Sequence, residues 1–222
     1  MAVTHRPMAS AWWLGGVLAA NLLGAGVDPL VAAAGAVVAP VFGAGRLSPD
    51  ADVTWLRRLG HRQATHRPDT TATVLTVITL VAWIPALVYL PGDAAWLVWA
   101  PITGWWSHLV GDSIFGRIPV GARLGRVLAA VLPEHLIRRG GGRQAYWVGL
   151  GWDTDGPIER GKLYVSKLPR WARWATRKPE RTAAGLHTTV RVLPFAPTTG
   201  LLTIATVVLM AAVSVQWLRA VS

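Results

Sequence analysis

The sequence predicts an all-α integral membrane protein with about five apolar helical segments and a long basic segment before the last span. Three observations predict it. The 222 residues are 52% hydrophobic with 13 Trp and a mean hydropathy of +0.38, more apolar than an ordinary soluble domain. Several uncharged runs approach or reach the length that crosses a bilayer. The basic residues cluster between particular runs, as expected when positive charge marks the cytoplasmic side.

The elements follow in order. Ala9 to Leu23 and Leu30 to Gly45 are apolar but short, separated by Gly24 to Pro29. They read as two short spans or as a re-entrant hairpin packed against protein. A signal peptide is a rival reading of residues 1–30, disfavoured because a second apolar run follows at once. Thr70 to Leu90 lies between Arg67-Pro68-Asp69 and Pro91-Gly92-Asp93. As a helix it would be about 31 Å long, enough to cross the hydrocarbon core. Ala94 to Phe115 forms another run, with Pro101 as the expected kink. Thr199 to Leu218 is the last and carries no charge. Organisation is therefore read as membrane helices over 1–115, a basic cytoplasmic or interfacial segment over 116–198, and a C-terminal transmembrane helix over 199–222.

Charge tests the topology. With five crossings and the N-terminus inside, Arg6 and segments 46–69 and 116–198 face the cytoplasm. That arrangement puts 21 of the 22 basic residues on one side, leaving only Arg219 outside. The reading is a multi-pass protein of the cytoplasmic (inner) membrane, N-terminus inside and C-terminus outside. Within the long segment, Trp171 and Trp174 alternate with Arg170, Arg173, Arg177 and Lys178. This pattern suits a helix lying on anionic lipid head groups. Nucleic acid is the weaker reading of the same residues, because apolar spans flank the segment. A cytoplasmic protein partner is a further expectation for so basic a surface. Cys is absent, which excludes disulfides, thiolate metal sites and cysteine nucleophiles.

The same topology brings His5, Asp50, Asp52, His61, His66, His108 and Asp112 to one membrane face. Carboxylates and imidazoles at the edges of apolar segments are costly to place and are functional candidates. Asp and His are also oxygen and nitrogen ligands of divalent metals such as zinc, manganese or iron. His108 and Asp112 are four apart, which puts both on one helical face. Their structural alternative is a buried His–Asp hydrogen bond. His61 and His66 are five apart, so one regular helix would hold them roughly 140° apart; a turn between them would let both reach one ion. Their alternative is two solvated residues in a basic loop. Asp50 and Asp52 flank Ala51 in a loop where alternate carboxylates can converge on a cation or orient a water. Their alternative is helix capping ahead of Trp55. Glu159 stands in a second carboxylate-rich stretch, Asp153 to Glu159, but its spacing alone does not connect it to the cluster. No P-loop, His-Glu-x-x-His or Gly-x-Ser-x-Gly occurs.

Three blocks carry a resemblance: Pro49-Asp50-Ala51-Asp52-Val53, Gly60-His61-Arg62-Gln63-Ala64-Thr65-His66-Arg67 and Gly104-Trp105-Trp106-Ser107-His108-Leu109-Val110-Gly111-Asp112. In this order they resemble the YdjM-like family of inner-membrane-associated metal-dependent hydrolases, to which binding of LexA is ascribed. The family's elements are Pro-Asp-x-Asp-His, Gly-His-Arg-Gly-x-Thr-His-Ser and Gly-Tyr-x-Ser-His-x-x-x-Asp. His5, Ile118-Pro119-Val120 and Glu159-Arg160 also have counterparts, so the resemblance runs from His5 to about Arg160. Val53 and Arg67 depart from it, replacing a His and a Ser, and one ligand is lost. The resemblance implies a divalent metal held by Asp50, Asp52, His61, His66, His108 and Asp112. It implies Glu159, with Asp52, as the carboxylates for proton transfer, and His5 as an additional ligand. A lipid or lipid-linked substrate would suit the depth of such a site. The alternative function is a non-catalytic membrane adaptor that recruits a cytoplasmic protein or nucleic acid through 116–198.

Overall fold

A computed structural model of the protein describes residues 2–51, 64–115, 117–134, 136–139, 146–149, 155–157, 180–182, 185–189 and 195–221. Asp52, His61, Glu159 and the Trp171–Trp174 stretch lie outside the described residues. The chain is mostly helical and divides into two compact units, 1–110 with 199–222, and 111–198.

In the first unit, α1 (Ala2–Leu22) and α2 (Pro29–Gly43) form an antiparallel hairpin. Asp28 starts α2: its Oδ1 accepts from the Leu30 amide at 2.6 Å, and Pro29 fills the first helical position, where a missing N–H costs nothing. The Asn21 side chain closes the connecting turn, accepting from Val27 N and donating to Val27 O. Along the hairpin, Trp13 Nε1 donates to Ala32 O and Ser10 Oγ to Ala36 O, each at 2.7 Å. Trp13 lies flat across Gly35, in space that a Cβ there would need. These bonds use carbonyls of α2 as second acceptors, so the polar atoms of α1 are satisfied inside an apolar contact. The apolar core here comprises Ala9, Trp13, Leu14, Val17, Val27, Ala32, Ala39, Ala100 and Val213.

A π-helical turn, Pro68–Ala72, leads into α3 (Thr73–Tyr89). Together they make one apolar helix of 22 residues, about 33 Å at the α-helical rise. The expected span over Thr70 to Leu90 is thus present with slightly earlier limits. The expected kinked run over Ala94 to Phe115 takes a different form. It is a 3-10 helix, Gly92–Trp99, followed by α4 (Ala100–Phe115). Pro101 is the second residue of α4, where it initiates a helix and has no intrahelical hydrogen bond to break. Trp83 of α3 meets Trp96 at a tilt and Trp99 edge-on, ring centroids 5.4 Å apart in each case, and Trp106 Nε1 of α4 donates to Thr76 Oγ1 of α3 at 2.9 Å. The final helix, α6 (Phe195–Val221), contributes Val213 to the core and places Thr206 Oγ1 3.4 Å from Pro7 O.

Among the described residues, two helices are long and apolar enough to cross a membrane, Pro68–Tyr89 and Leu201–Arg219. Helix α2 is apolar but has only 15 residues, roughly 22 Å, against a hydrocarbon core of about 30 Å.

The second unit also holds short strands, in a segment read from the sequence only as basic and cytoplasmic or interfacial. Strands β1 (Ile118–Val120), β2 (Ile137–Arg139) and β3 (Tyr146–Val148) form an antiparallel sheet in the order β1-β3-β2. β4 (Asp155–Pro157), β5 (Glu180–Thr182) and β6 (Gly185–Thr189) form another, in the order β4-β6-β5. At three to five residues each, these strands are too brief to show the alternation that marks a strand in sequence. Helix α5 (Ala122–Val131) is amphipathic and rests on β3, with Gly125 against the ring of Tyr146.

Candidate metal centre

Helix contact comes first, because it sets where the imidazoles can sit. Helices α2 and α4 approach through residues without bulk. A Cβ on Gly104 would collide with the Ala39 carbonyl, and one on Gly43 would lie 2.7 Å from Ala9 Cβ. Small residues at such spacing let backbones touch. One turn after Gly104, His108 therefore reaches back to the end of α2, its Nδ1 2.8 Å from the Gly43 carbonyl oxygen. That carbonyl belongs to the last turn of a helix, where no amide of the helix is available to it. A carbonyl only accepts, so Nδ1 carries the proton. In the neutral ring Nε2 then holds a lone pair, as a metal-ligating imidazole requires.

Asp50 is placed by a turn at Ser48. Ser48 Oγ donates to Gly45 O at 2.8 Å and accepts from the Asp50 amide at 3.2 Å. Ser48 is wholly buried, and the Asp50 side chain remains one-third exposed. His66 arrives from the other direction. Thr71 Oγ1, on the π-turn, donates to Ala64 O at 2.5 Å and ties this segment to the start of α3. Thr65 Oγ1 lies 3.1 Å from His66 Nδ1, which fixes the ring and directs Nε2 away from the hydroxyl.

The result is a convergence on one carboxylate oxygen. Asp50 Oδ1 is 3.6 Å from His66 Nε2 and 3.6 Å from His108 Nε2. His66 and His108 are 0% and 1% exposed. At 3.6 Å these are not hydrogen bonds. Two donors each about 2.1 Å from one ion and separated by roughly 120° would stand at this distance. With Nδ1 of His108 donating to Gly43 O, Nε2 is the ring nitrogen turned toward the Asp50 carboxylate, the side on which a cation could be held. The donor chemistry, burial and spacing fit a divalent cation.

A second set of donors adjoins the first. His5, one turn before Ala9 on α1, is buried at 2% and stacks on His108 with ring centroids 4.2 Å apart. His66 meets the same ring edge-on at 5.4 Å. Asp112 follows His108 by one turn on α4 and is also buried. Among the described residues the first unit therefore gathers four of the sequence-derived candidates: His5, Asp50, His66 and His108. Asp52, His61 and Glu159 lie outside the described residues.

His5 is placed by the helix that carries it. Helix α1 runs through Arg6-Pro7 and carries it into the interior. Thr65, Gly43 and Gly104 were not singled out from the sequence. A signal for Gly43 existed in the four-residue Ala39/Gly43 spacing, a pair of small residues that marks close helix contact; Thr65 and Gly104 carried none.

Comparison of the chain with protein-family models, with curated proteins and with solved structures yields no match.

Proposed function

We propose that the protein is a divalent-metal-dependent hydrolase of the cytoplasmic membrane, akin to the YdjM-like family, with its site opening at the cytoplasmic face. The observation that supports this reading best is the single Asp50 oxygen facing two buried imidazole nitrogens at 3.6 Å. His5, stacked on His108, adds a further imidazole beside the donor set. A bound divalent ion supplies a Lewis acid and a water that ionises near neutral pH. The residues around it hold and orient the reacting groups. Asp50 is one-third exposed, so the set has an open side from which substrate can enter. A carboxylate must take the proton of the attacking water, and Asp52 and Glu159 are the candidates for that role.

The membrane part of the reading rests on the two spanning-length helices and on the placement of 21 of 22 basic residues on one side. Five crossings, with α1 and α2 as short spans, give the N-inside, C-outside orientation. A lipid or lipid-linked substrate follows from the location.

Elemental mass spectrometry of detergent-purified protein tests the proposal, wild type beside His108→Ala. One or two equivalents of zinc, manganese or iron, lost in the variant, are expected. A folded wild type that takes up no metal on reconstitution would overturn it. In that case the 15 basic residues of 116–198 favour the adaptor reading, for which deletion of that segment should abolish capture of a cytoplasmic partner.

A further inference from the structure

Beside the donor set lies a cavity of about 400 Å³, enclosed by the end of α2, the turn after it, and one face each of α3 and α4. Phe42, Leu75, Ile102 and Trp105 make its wall apolar. Thr71, Leu75 and Thr79 follow at i, i+4 and i+8, so the cavity runs along one face of α3 for about 12 Å. Thr65 and Ala51 close the end next to His66 and Asp50. Thr65 is the residue whose hydroxyl touches His66 Nδ1. One layer of side chains therefore separates a hydrocarbon-lined space from the candidate metal donors.

Arg46 stands at the boundary of this cavity and of a second, more polar pocket of about 450 Å³. The second pocket is also lined by Arg6, the neighbour of His5. Two guanidinium groups in one pocket suit a phosphate, which arginine binds through paired N–H donors. Apolar and cationic spaces that share Arg46 match an amphiphile whose charged end sits beside the metal donors. A space of this volume accommodates one hydrocarbon chain of a lipid.

We infer that the substrate is a single-chain phospholipid, a phosphate ester with one hydrocarbon tail. The tail occupies the cavity along α3, and the phosphate lies between Arg46, Arg6 and the Asp50–His66–His108 donors. The substrate role rests on the hydrolase reading above; the occupant of the cavity does not. Hydrolysis of such an ester adds the oxygen of water to phosphorus, breaks the ester P–O bond and passes a proton to the departing alcohol. It needs no other reactant.

The test uses the full chain in neutral detergent, with metal content measured on the same samples. Radiolabelled oleoyl lysophosphatidic acid is displaced by octanoyl, lauroyl and palmitoyl lysophosphatidic acids, by glycerol 3-phosphate and by lysophosphatidylcholine. Affinity is expected to rise at least about tenfold from octanoyl to palmitoyl, as added methylenes are buried. Lysophosphatidylcholine, whose head group has no net charge, should bind about tenfold more weakly. Thr79→Phe narrows the cavity at a residue whose hydroxyl bonds only its own helix through Leu75 O, and should flatten the chain-length series. Arg46→Gln, an exposed substitution, should weaken every anionic ligand by about tenfold and leave metal content unchanged. Equal affinity across chain lengths, or for glycerol 3-phosphate and palmitoyl lysophosphatidic acid, would overturn the assignment of the tail even with metal bound. Equal affinity for the choline lipid would overturn the assignment of the phosphate. Chain-length-dependent binding by protein that takes up no metal would uphold the occupant and sink the hydrolytic reading. The wild-type series is decisive whether or not either variant folds.

Discussion

Helices α3 and α4 are neighbours in sequence and nearly equal in length, yet they invert the usual relation between polarity and burial. Helix α3 is almost wholly apolar, and Val77, Ile78, Val81, Ile84 and Val88 are each more than half exposed; of its residues only Ala86 is buried. Helix α4 carries Ser107, His108 and Asp112, and it buries all three alongside Ala100, Ile102 and Leu109. In water this would leave a contiguous apolar surface far larger than monomers usually show. Beside lipid it is the economical arrangement, because hydrocarbon tolerates exposed Val and Ile and penalises an exposed carboxylate. The difference teaches that the ionisable residues were not buried to escape solvent. They are held inward on a helix whose close contact with α2, through Gly104, brings His108 to the end of α2.

The sharpest way to break the comparison is to remove the imidazole that joins the two halves of the donor set. His108→Ala should abolish stoichiometric metal uptake while circular dichroism stays helical; retained metal would return α4 to a purely structural role. A charge on the outer face of α3 comes next. Ile84→Lys, at a site 63% exposed, should cost about 3 kcal/mol of membrane insertion. A glycosylation-reporter assay of insertion reads this directly, and a change within about 0.5 kcal/mol would mean that α3 faces water. Gly104→Val should destabilise by about 1–3 kcal/mol or more through overpacking against the Ala39 carbonyl. Thermal unfolding in detergent checks it, and metal affinity should fall in parallel because His108 moves with the helix. The smallest effect is expected from Thr65→Val, which keeps the shape and removes the hydroxyl beside His66 Nδ1. Metal affinity measured by chelator competition should drop about 10-fold, the lower end of what outer-shell partners contribute.

Much of this was legible in the sequence, for identifiable reasons. The runs over Thr70–Leu90 and Thr199–Leu218 appear as helices because long uncharged stretches bounded by Pro, Gly and Asp leave few other outcomes. His108 and Asp112 were readable as a pair because a helix fixes the geometry of residues four apart. The convergence of Asp50 and His66 on His108 was readable only as an order of blocks. Their meeting depends on the Ser48 turn and on Thr71 holding Ala64, contacts between residues whose spacing in sequence announces nothing. The approach of α2 to α4 was hidden for a related cause. A missing side chain leaves no mark in a hydropathy profile, and Gly104 reads as a mild interruption in an apolar run. The 3-10 turn before α4 and the short strands of 111–198 were also illegible, since each is too brief to develop a period.

Gly104 and His108 are separated by one turn of the same helix, and this locks the site in phase with a contact that has no polar chemistry of its own. A single residue inserted between them would rotate the imidazole by about 100° relative to the α2 surface, and a compensating deletion beyond Asp112 would not bring it back. The candidate metal centre would therefore be silenced by changing the count of residues in an apolar stretch, with every candidate ligand still present. Conversely, grafting the His and Asp residues onto another hairpin should fail unless the glycine contact and its four-residue offset travel with them.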